Sequence, residues 1–371
     1  VSVITGLPNY PKGKLFGQFK LFLPEDYKGI KIYRVPLITR GNANGLRLVL
    51  NYLSFLISSL IFSPFLLVNQ KFDVVFSTNY SPATVGITGV FLAKLKKAKN
   101  CLWVQDLWPQ SLQATGAIKS KSIIKLVGKM MKWIYQRNDF IFSQSKSFND
   151  SIRSYGINKD KLFFLPNWAE DIFNEDISSI KNKEADSVDV SEFVLMFAGN
   201  LGEAQSLDTL LGAADILRNE PIKWVFLGDG RKSRWFKNEI NKKNLQNKVK
   251  LLGSYPLESM PSFFSKADFL LVSLKKDPIF SITIPGKVQS YLLSGKPIIS
   301  SLDGEGANVI KESKCGLNSP SEDPEYLALN IKKAMMLNQE DREILGKNGK
   351  KYYDENFNRD MLISKFLKII A

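Results

Sequence analysis

The sequence predicts an α/β protein with two successive parallel sheets. From Phe72 onward, short apolar runs alternate with stretches of helical periodicity, which is typical of β-α-β units whose strands are buried on both faces. A polar, charged stretch from 170 to 192 interrupts this alternation, which starts again at Phe193. With 371 residues, 44% of them hydrophobic and 23% charged, the chain has enough length and apolar material for two domains.

Each apolar run between turn signals is assigned to a strand, and each longer amphipathic stretch to a helix. In the first half we expect strands at 1–6, 72–78, 101–105, 140–144 and 162–165, and helices at 82–98 and 122–136. In the second half we expect strands at 193–198, 223–227, 249–252, 269–273 and 297–301, and helices at 206–218, 234–241 and 286–293. The tail from 323 to 370 is expected to be mainly helical.

Composition limits the possible chemistry. The chain has no histidine, which excludes Ser-His-Asp and Cys-His nucleophiles, imidazole metal ligands and histidine general bases. Its two cysteines, Cys101 and Cys315, have neither metal-ligand nor disulfide-framework spacing, which fits a reducing compartment. The net charge of +15 calls for an anionic partner, such as nucleotide phosphates or acidic lipid headgroups; no RNA-binding or zinc-finger signature favours nucleic acid.

Two apolar stretches have alternative interpretations. The stretch 46–68 is the part of the chain most like a membrane span, because it is long and apolar. It contains Arg47, Asn51, four serines and Pro64, however, which favours a buried or interfacial helix. The stretch 123–134 has apolar residues on one helical face and lysines on another. It fits a helix lying on an anionic membrane, and equally a core-facing helix with a solvated lysine side.

Ligands of open α/β sheets bind beyond the carboxyl ends of the strands, so the residues that follow each strand are the candidates for ligand contact. The turns 199–202 and 228–231 contain glycines that let the backbone approach a phosphate, although tight turns also use glycine for geometry alone. Lys287 falls in the first turn of a predicted helix, where a basic residue opposes the helix dipole unless an anion or solvent compensates. The candidate ligand residues of the second domain are Gly199, Asn200, Gly202, Asp229, Arg231, Lys287 and Ser290.

In the first half, Asp106 follows a predicted strand and stands between Trp103 and Trp108. Aromatic faces stack on sugar rings, and a carboxylate binds or activates a hydroxyl, so this group suits contact with a sugar. A helix-capping aspartate is the alternative. The sequence has no Asp-x-Asp pair of the kind that holds a metal–diphosphate, and we expect lysine, arginine and helix N-termini to neutralise a diphosphate instead.

Six segments, taken in order, carry a resemblance to a known family. They are VITGLPNYP at 3–11, VQDLWP at 104–109, LPNW at 165–168, FAGNLG at 197–202, GDG at 228–230 and IPGKVQSY at 284–291. Together they resemble the retaining glycosyltransferases of family 4, which have the GT-B fold. The similarity is greatest to the branch that builds bacterial O antigen and capsule, especially the N-acetyl-L-fucosamine transferases.

The resemblance implies two Rossmann-like domains that face a cleft. The implied divisions are an acceptor-side domain at 1–170, a linker at 171–192, a nucleotide-sugar-binding domain at 193–355, and a C-terminal helix at 356–371 that crosses back to the first domain. The implied reaction moves a sugar, such as the N-acetylated deoxyhexosamine L-FucNAc, from a UDP-sugar to an undecaprenyl-diphosphate-linked acceptor, with retention. No metal or other cofactor is implied. The implied location is the cytoplasm, at the cytoplasmic face of the inner membrane.

The same resemblance assigns roles to the candidate residues. Arg231 and Lys287 would contact the diphosphate, which the backbone at Gly199 and Gly202 would cradle. Asp106 would be the catalytic residue and contact a sugar. Trp108 and Asn9 would lie on the acceptor side.

Two departures from the family pattern keep alternatives open. Relatives have two glutamates around the last motif where this chain has Ile282 and Ser290, so a carboxylate on the ribose is not expected unless Glu305 supplies it. Relatives also begin with a strand, a Gly-rich loop and a helix ahead of the segment matching 1–6, and we expect the first domain to lack this unit and the central strand of its sheet. One alternative is an inactive, truncated scaffold in polysaccharide assembly. Another is a GT-B nucleotide-sugar epimerase, which the absence of histidine disfavours.

Overall fold

The computed structural model of the chain describes residues 1–10, 13–17, 19–42, 44–174 and 183–371. Its internal contacts divide the chain into two compact units, Val1–Leu165 with Ile370–Ala371, and Pro166–Ile369. The polar stretch predicted as a linker falls in the second unit, and its residues 175–182 lie outside the described residues, as does Pro11 of the first motif. The predicted domain boundaries remain predictions.

The first unit contains two sheets. The smaller sheet has the order β1-β3-β2 and consists of β1 (Ser2–Gly6), β2 (Glu25–Tyr27) and β3 (Ile30–Val35). The larger sheet is parallel, with its strands in sequence order: β4 (Val74–Asn79), β5 (Lys99–Val104), β6 (Phe140–Ser143) and β7 (Leu162–Phe164). Within the described residues no strand pairing joins the two sheets, so β1 and β4 are both edge strands.

The helices of the first unit are α1 (Gly45–Leu66), α2 (Val85–Lys96), α3 (Gln110–Ala114), α4 (Lys121–Gln136) and α5 (Phe148–Arg153). Because each strand of the larger sheet pairs with the next one along the chain, and such crossovers are right-handed, the connecting helices α2, α4 and α5 lie on one face of that sheet. Ile4, Tyr33, Leu67 and Leu92 belong to a small apolar cluster that packs the smaller sheet against the ends of α1 and α2.

The 22-residue helix α1 has an inverted distribution of polarity. Its buried residues are Asn51, Ser59 and Ser63. The exposed ones form an apolar stripe, defined as Leu46, Val49, Leu50, Leu53, Ile57, Ile61 and Phe65. A water-soluble helix normally buries its apolar face, so the interpretation as a buried core helix is wrong.

Length and composition alone make α1 a candidate membrane span. Its most apolar 18-residue window has a mean hydropathy of 1.7, and only 17% of that window is buried. Core helices of soluble proteins and signal sequences can have the same length and composition, so the exposure of the stripe is the more informative observation.

Helix α4 is core-facing only in its second half. Met131, Ile134 and Tyr135 are buried, whereas Ile123 and Leu126 near its start are exposed. The interpretation as a core-facing helix with a solvated lysine side therefore fits the C-terminal turns of α4. It does not fit the N-terminal turns, whose apolar side chains are exposed.

The second unit is built on one parallel sheet, whose six strands have the order β10-β9-β8-β11-β12-β13. These strands are β8 (Phe193–Ala198), β9 (Ile222–Leu227), β10 (Val249–Gly253), β11 (Phe269–Ser273), β12 (Ile298–Ser301) and β13 (Gly316–Ser319). The helices are α6 (Lys183–Asp186), α7 (Leu207–Ile216), α8 (Ser233–Lys242), α9 (Met260–Ser265), α10 (Pro278–Ser281), α11 (Gly286–Leu293), α12 (Gly304–Ser313), α13 (Pro324–Met335), α14 (Gln339–Asn356) and α15 (Arg359–Ile370).

Apolar clusters cover both faces of this sheet, and every residue of β8 and β11 is buried. Complete burial explains why these strands are recognisable as continuous apolar runs. Phe173, Ala185 and Val188 of the polar stretch also pack into this core. The sequence-based expectations missed α12 and β13, because β13 has only one large apolar residue, Leu317.

Two helical glycines provide a matched test of this packing. A Cβ at Gly89 in α2 would lie 2.1 Å from the Ser77 hydroxyl oxygen and 3.2 Å from its Cβ, whereas a Cβ at Gly128 in α4 would meet no atom within 4 Å. We expect Gly89→Ala to lower the free energy of unfolding by about 1–3 kcal/mol through overpacking. Gly128→Ala should raise it by about 0.5–1 kcal/mol through helix propensity. Urea denaturation measures both, and a change of the same sign in the two variants would contradict the assigned α2 packing.

Candidate functional site

The carboxyl ends of β8 and β11 form the topological switch point of the second unit. From β8 the chain adds β9 and β10 on one side of the sheet, and it then returns to add β11, β12 and β13 on the other. The connections on either side of β8 therefore run in opposite directions and leave a crevice at this edge, which is where open α/β sheets bind ligands.

Two glycine turns meet at this edge by direct backbone contact. Gly199 and Gly228 have φ angles of +139° and +134°, a region that side chains disfavour. A Cβ at Gly228 would lie 1.9 Å from the Gly199 carbonyl oxygen, so only glycine allows the approach. The Leu201 amide donates to the Asp229 carbonyl (2.9 Å), which holds the two turns together.

Lys287 projects from the first turn of α11 toward the Gly199 turn. Its ammonium donates to the Gln205 side-chain oxygen (2.9 Å) and lies 3.5 Å from the centroid of the Phe197 ring. A Cβ at Gly199 would lie 3.2 Å from Lys287 Nζ, so the turn and the cation are in contact. The residue keeps some exposed surface, but its ammonium is densely enclosed, and this burial lowers the pKa of Lys287 to about 7.

Neighbouring polar groups position Lys287 and Gln205, the residue whose side-chain oxygen accepts its hydrogen bond. The Ser273 hydroxyl, at the end of β11, donates to the Gln205 carbonyl (2.5 Å). The Tyr291 hydroxyl of α11 accepts from the Ala198 amide at the end of β8 (2.9 Å). The helix that carries Lys287 is therefore tied to the strand before the glycine turn, and Gln205 is tied to the strand across the switch point. Burial raises the pKa of Tyr291, which keeps this hydroxyl protonated.

The structure distributes the other predicted residues around these groups. Asn200 lies against the glycines of both turns: a Cβ at Gly202 would be 2.6 Å from its amide nitrogen, and a Cβ at Gly230 would be 2.5 Å from its amide oxygen. Asp229 is exposed. Its carboxylate stabilises the turn that contains it, because it accepts a hydrogen bond from the Gly230 amide (2.7 Å).

The remaining candidates of the second unit differ in position and in charge. Hydrogen bonding to Ser233 and to the Gly230 amide lowers the pKa of Asp229, so this carboxyl is ionised. Arg231 is exposed beyond the turn, and Ser290 is half-buried one helical turn after Lys287. Within the described ranges, no cluster of three or more Asp, Glu and Cys side chains is placed to hold a metal ion.

Asp106 lies just beyond the end of β5 in the first unit. Its amide and that of Gln105 both donate to the Asn79 carbonyl at the end of β4 (3.2 and 3.0 Å). The half-buried Asp106 carboxyl has its pKa raised to about 6 by desolvation. Trp103 and Trp108 are 8% and 6% exposed, so the faces of both rings are covered, and stacking of a sugar on them remains a prediction.

Asn9, Arg40, Tyr52 and Trp108 form a connected group near the start of α1. The Asn9 side chain donates to the Leu7 carbonyl (2.9 Å) and accepts from the Arg40 amide (3.1 Å), so it shapes the loop. The Arg40 guanidinium lies 5.7 Å from the Tyr52 ring, whose centroid is 6.1 Å from that of Trp108. No carboxylate pairs with Arg40 in the part of the chain that the structure describes, and this cation was not predicted as a site residue from the sequence.

Three polar side chains at the carboxyl edge of the larger sheet were also not predicted from the sequence. Asn79, Gln144 and Ser145 are at most 2% exposed, and each has an oxygen without a hydrogen-bond partner among the described residues. Asn79 ends β4, and the other two follow β6, so they flank the segment that carries Asp106. Buried oxygens without partners are costly unless water or a ligand satisfies them, which makes these three further candidates for hydroxyl contact. The signal in the sequence was a polar residue at the end of each strand or just after it.

A protein-family model matches part of the chain. Residues 178–352, slightly less than half of the chain, match the model described as glycosyl transferases group 1. The matched segment contains the Gly199 and Gly228 turns and Lys287.

Two curated relatives and one solved structure extend the similarity over most of the chain. The probable glycosyltransferase WbjE of Pseudomonas aeruginosa is 24% identical over 337 residues, 88% of this chain and 81% of that protein. The putative colanic acid biosynthesis glycosyl transferase WcaI of Escherichia coli K12 is 24% identical over 308 residues, 80% of this chain and 73% of that protein. The crystal structure of HepE of Anabaena in complex with UDP and glucose aligns with a TM-score of 0.67 at 13% identity, over 92% of this chain and 86% of that one.

The chain is therefore similar to glycosyltransferases of group 1, and one of the two curated relatives is named for colanic acid biosynthesis. The α/β class with parallel sheets is confirmed, and the structural neighbours are GT-B glycosyltransferases.

The contact between Gly199 and Gly228 allows a direct test. Gly228→Ala should lower the stability by about 3 kcal/mol or more, because its Cβ would collide with a carbonyl oxygen in a strained backbone region. This corresponds to a fall in Tm of roughly 6–12 °C. Gly253→Ala is the control: its φ is +83°, but its Cβ would meet no atom within 4 Å, so a loss of only about 1 kcal/mol is expected. Equal losses in the two variants would show that the turns do not depend on their mutual contact.

Proposed function

We propose that the chain transfers a sugar from a UDP-sugar to an undecaprenyl-diphosphate-linked acceptor, with retention and without a metal, in the synthesis of bacterial O antigen or capsule. The observation that carries the proposal is the contact between the Lys287 ammonium and the Gly199 turn at the switch point. The complex of HepE with UDP supports the choice of nucleotide. The donor sugar, an N-acetylated deoxyhexosamine such as L-FucNAc, rests on the sequence resemblance alone.

The chemistry proposed for the second unit is stabilisation of the leaving diphosphate. Negative charge develops on the diphosphate as its bond to the sugar breaks, and preorganised donors in a water-poor site stabilise that charge. Lys287 would exchange its neutral partner Gln205 for a phosphate oxygen, while the N-terminus of α11 adds backbone N–H groups. The Gly199 and Gly202 backbone would approach the phosphates, and Asn200, Asp229, Arg231 and Ser290 would surround the donor.

In the first unit we propose that Asp106 binds a sugar hydroxyl. With a pKa of about 6 this carboxyl is mainly ionised at neutral pH and accepts hydrogen bonds. Arg40 has no carboxylate partner within the described residues and would pair with the acceptor diphosphate, beside Asn9 and Trp108.

The pH dependence of UDP binding tests the role of Lys287. Burial lowers the pKa of Lys287 to about 7 in the free protein, so the cation is lost as the pH rises, whereas a bound diphosphate favours the charged form. UDP affinity should therefore fall above pH 7, by up to about tenfold per pH unit, until the pH reaches the pKa of Lys287 in the complex. Isothermal titration calorimetry from about pH 6 to about pH 9 measures this slope.

Two variants separate Lys287 from general charge effects. Lys287→Met should bind UDP weakly and lose the extra slope, leaving only the titration of UDP itself. Lys237→Met removes an exposed charge from α8 and should keep the wild-type slope. Identical slopes in wild type and Lys287→Met would contradict the assignment, and a protein that binds none of UDP, GDP and ADP would remove the transferase proposal.

We further propose that the protein is cytoplasmic and sits peripherally on the cytoplasmic face of the inner membrane. The apolar stripe of α1 and the exposed start of α4 support this location, because a large apolar surface in contact with water marks a site of interaction with a protein or a membrane. A basic chain with a net charge of +15 is also attracted to an anionic leaflet.

Substitutions in the α1 stripe test the membrane contact. Leu53→Gln, Ile57→Gln and Ile61→Gln, made together, should weaken binding to phosphatidylglycerol-containing vesicles roughly a hundredfold, because about half of each side chain is available for burial. Flotation assays measure the bound fraction. Leu257→Gln, Leu329→Gln and Ile344→Gln place the same change on exposed residues of the second unit and should leave binding unaltered. Loss of self-association in the α1 variant, with vesicle binding unchanged, would instead assign the stripe to a protein contact.

A further inference from the structure

A groove opens between α1, α2 and α4 in the first unit, away from Asp106. It has a volume of about 650 Å³, within the range of small-molecule sites. Its apolar lining includes Leu60 of α1, Val90 and Phe91 of α2, and Trp133 of α4. Phe91 and Trp133 are each 38% exposed, so large apolar surfaces are open to solvent.

The groove lies at the opposite edge of the larger sheet from Asp106. Asn100 and Asp139, which also line it, stand at the amino ends of β5 and β6, whereas Asp106 follows the carboxyl end of β5. A ligand in this groove therefore does not belong to the crevice at the strand ends, and the inference does not depend on the proposed transferase activity.

Three cations stand at the rim of the groove: Lys94, Lys97 and Arg137. The Arg137 guanidinium lies 4.4 Å from the centroid of the Trp133 ring and donates to the Trp133 carbonyl (3.3 Å), so it is held at the rim. Asp139 is the single carboxylate among the lining residues, and it accepts from the Asn100 amide (2.8 Å). No carboxylate forms an ion pair with the three cations within the described residues, so the rim carries excess positive charge.

We propose that this groove binds one anionic glycerophospholipid. An acyl chain would lie along Val90, Phe91 and Trp133, and the phosphate would meet Lys94, Lys97 and Arg137 at the rim. The combination favours an amphiphile, because a soluble phosphate would leave the apolar lining uncovered and a neutral lipid would leave the cations without a partner.

The groove borders the apolar stripe of α1, because Leu60 lies one helical turn after Ile57. Leu60 lines the groove, and its neighbours Ile57 and Ile61 belong to the stripe. A lipid held here would therefore enter from the same surface that the stripe exposes, which is the geometry expected of a lipid drawn from a bilayer.

A short-chain lipid below its micelle concentration isolates the groove from general adhesion to a bilayer. We expect dihexanoylphosphatidylglycerol to bind saturably and to change the fluorescence of Trp133, with the change absent in Trp133→Phe. Dihexanoylphosphatidylcholine and glycerol 3-phosphate, which lack the charge and the chain respectively, should bind at least tenfold more weakly.

Matched variants locate the site. Lys94→Gln with Lys97→Gln should weaken the binding of the short-chain anionic lipid roughly 25-fold, about fivefold for each lysine. Lys347→Gln with Lys350→Gln removes two exposed lysines of the same spacing from α14 and should change it less than twofold. Val90→Trp, which fills the groove and leaves the charges in place, should abolish binding while Tm stays close to wild type.

Several results would overturn the proposal. These are equal binding of the phosphatidylcholine and phosphatidylglycerol lipids, equal losses in the two double-lysine variants, unchanged binding in a folded Val90→Trp, and binding to vesicles without binding to the monomeric lipid. UDP binding is measured separately, and its failure would leave this result unaffected.

Discussion

The approach of the Gly199 carbonyl to the α carbon of Gly228 is the constraint on which the site of the second unit depends. Because neither turn carries a side chain at this point, the segments after β8 and β9 leave the sheet in contact. The chain after Gly199 then reaches Gln205, which Ser273 holds across the switch point and which receives the Lys287 ammonium. A bulkier residue at position 228 would displace this whole series of contacts.

Much of the second unit could be predicted from the sequence because its strands are buried on both faces. β8 and β11 have the predicted bounds, and the candidates at Gly199 and Lys287 followed from their positions after a strand and at a helix start. The lowered pKa of Lys287 could not be predicted in this way. It results from desolvation of the ammonium, which tertiary packing encloses together with Phe197 and with Gln205, 82 positions away in the sequence.

The first unit was harder to predict because several of its polar residues are buried, whereas the apolar residues of α1 are exposed. The apolar length of α1 was evident, but the sequence did not reveal that Asn51, Ser59 and Ser63 would face inward. Arg40 lies in a segment without strong periodicity, and its nearness to Tyr52 and Trp108 arises only from tertiary packing. The oxygens of Asn79, Gln144 and Ser145 are notable only because burial removes them from water.

The polar inner side of α1 also affects how this helix is attached. Its buried contact with α2 includes a hydrogen bond between the hydroxyls of Ser59 and Thr88 (2.7 Å). Hydroxyl pairing and close packing hold helices together in lipid as well as in water, whereas the hydrophobic effect acts only where water is the surrounding solvent. The contact between α1 and α2 therefore depends little on whether water or lipid covers the exposed face of α1. The first unit can move this face from water into hydrocarbon without repacking the two helices.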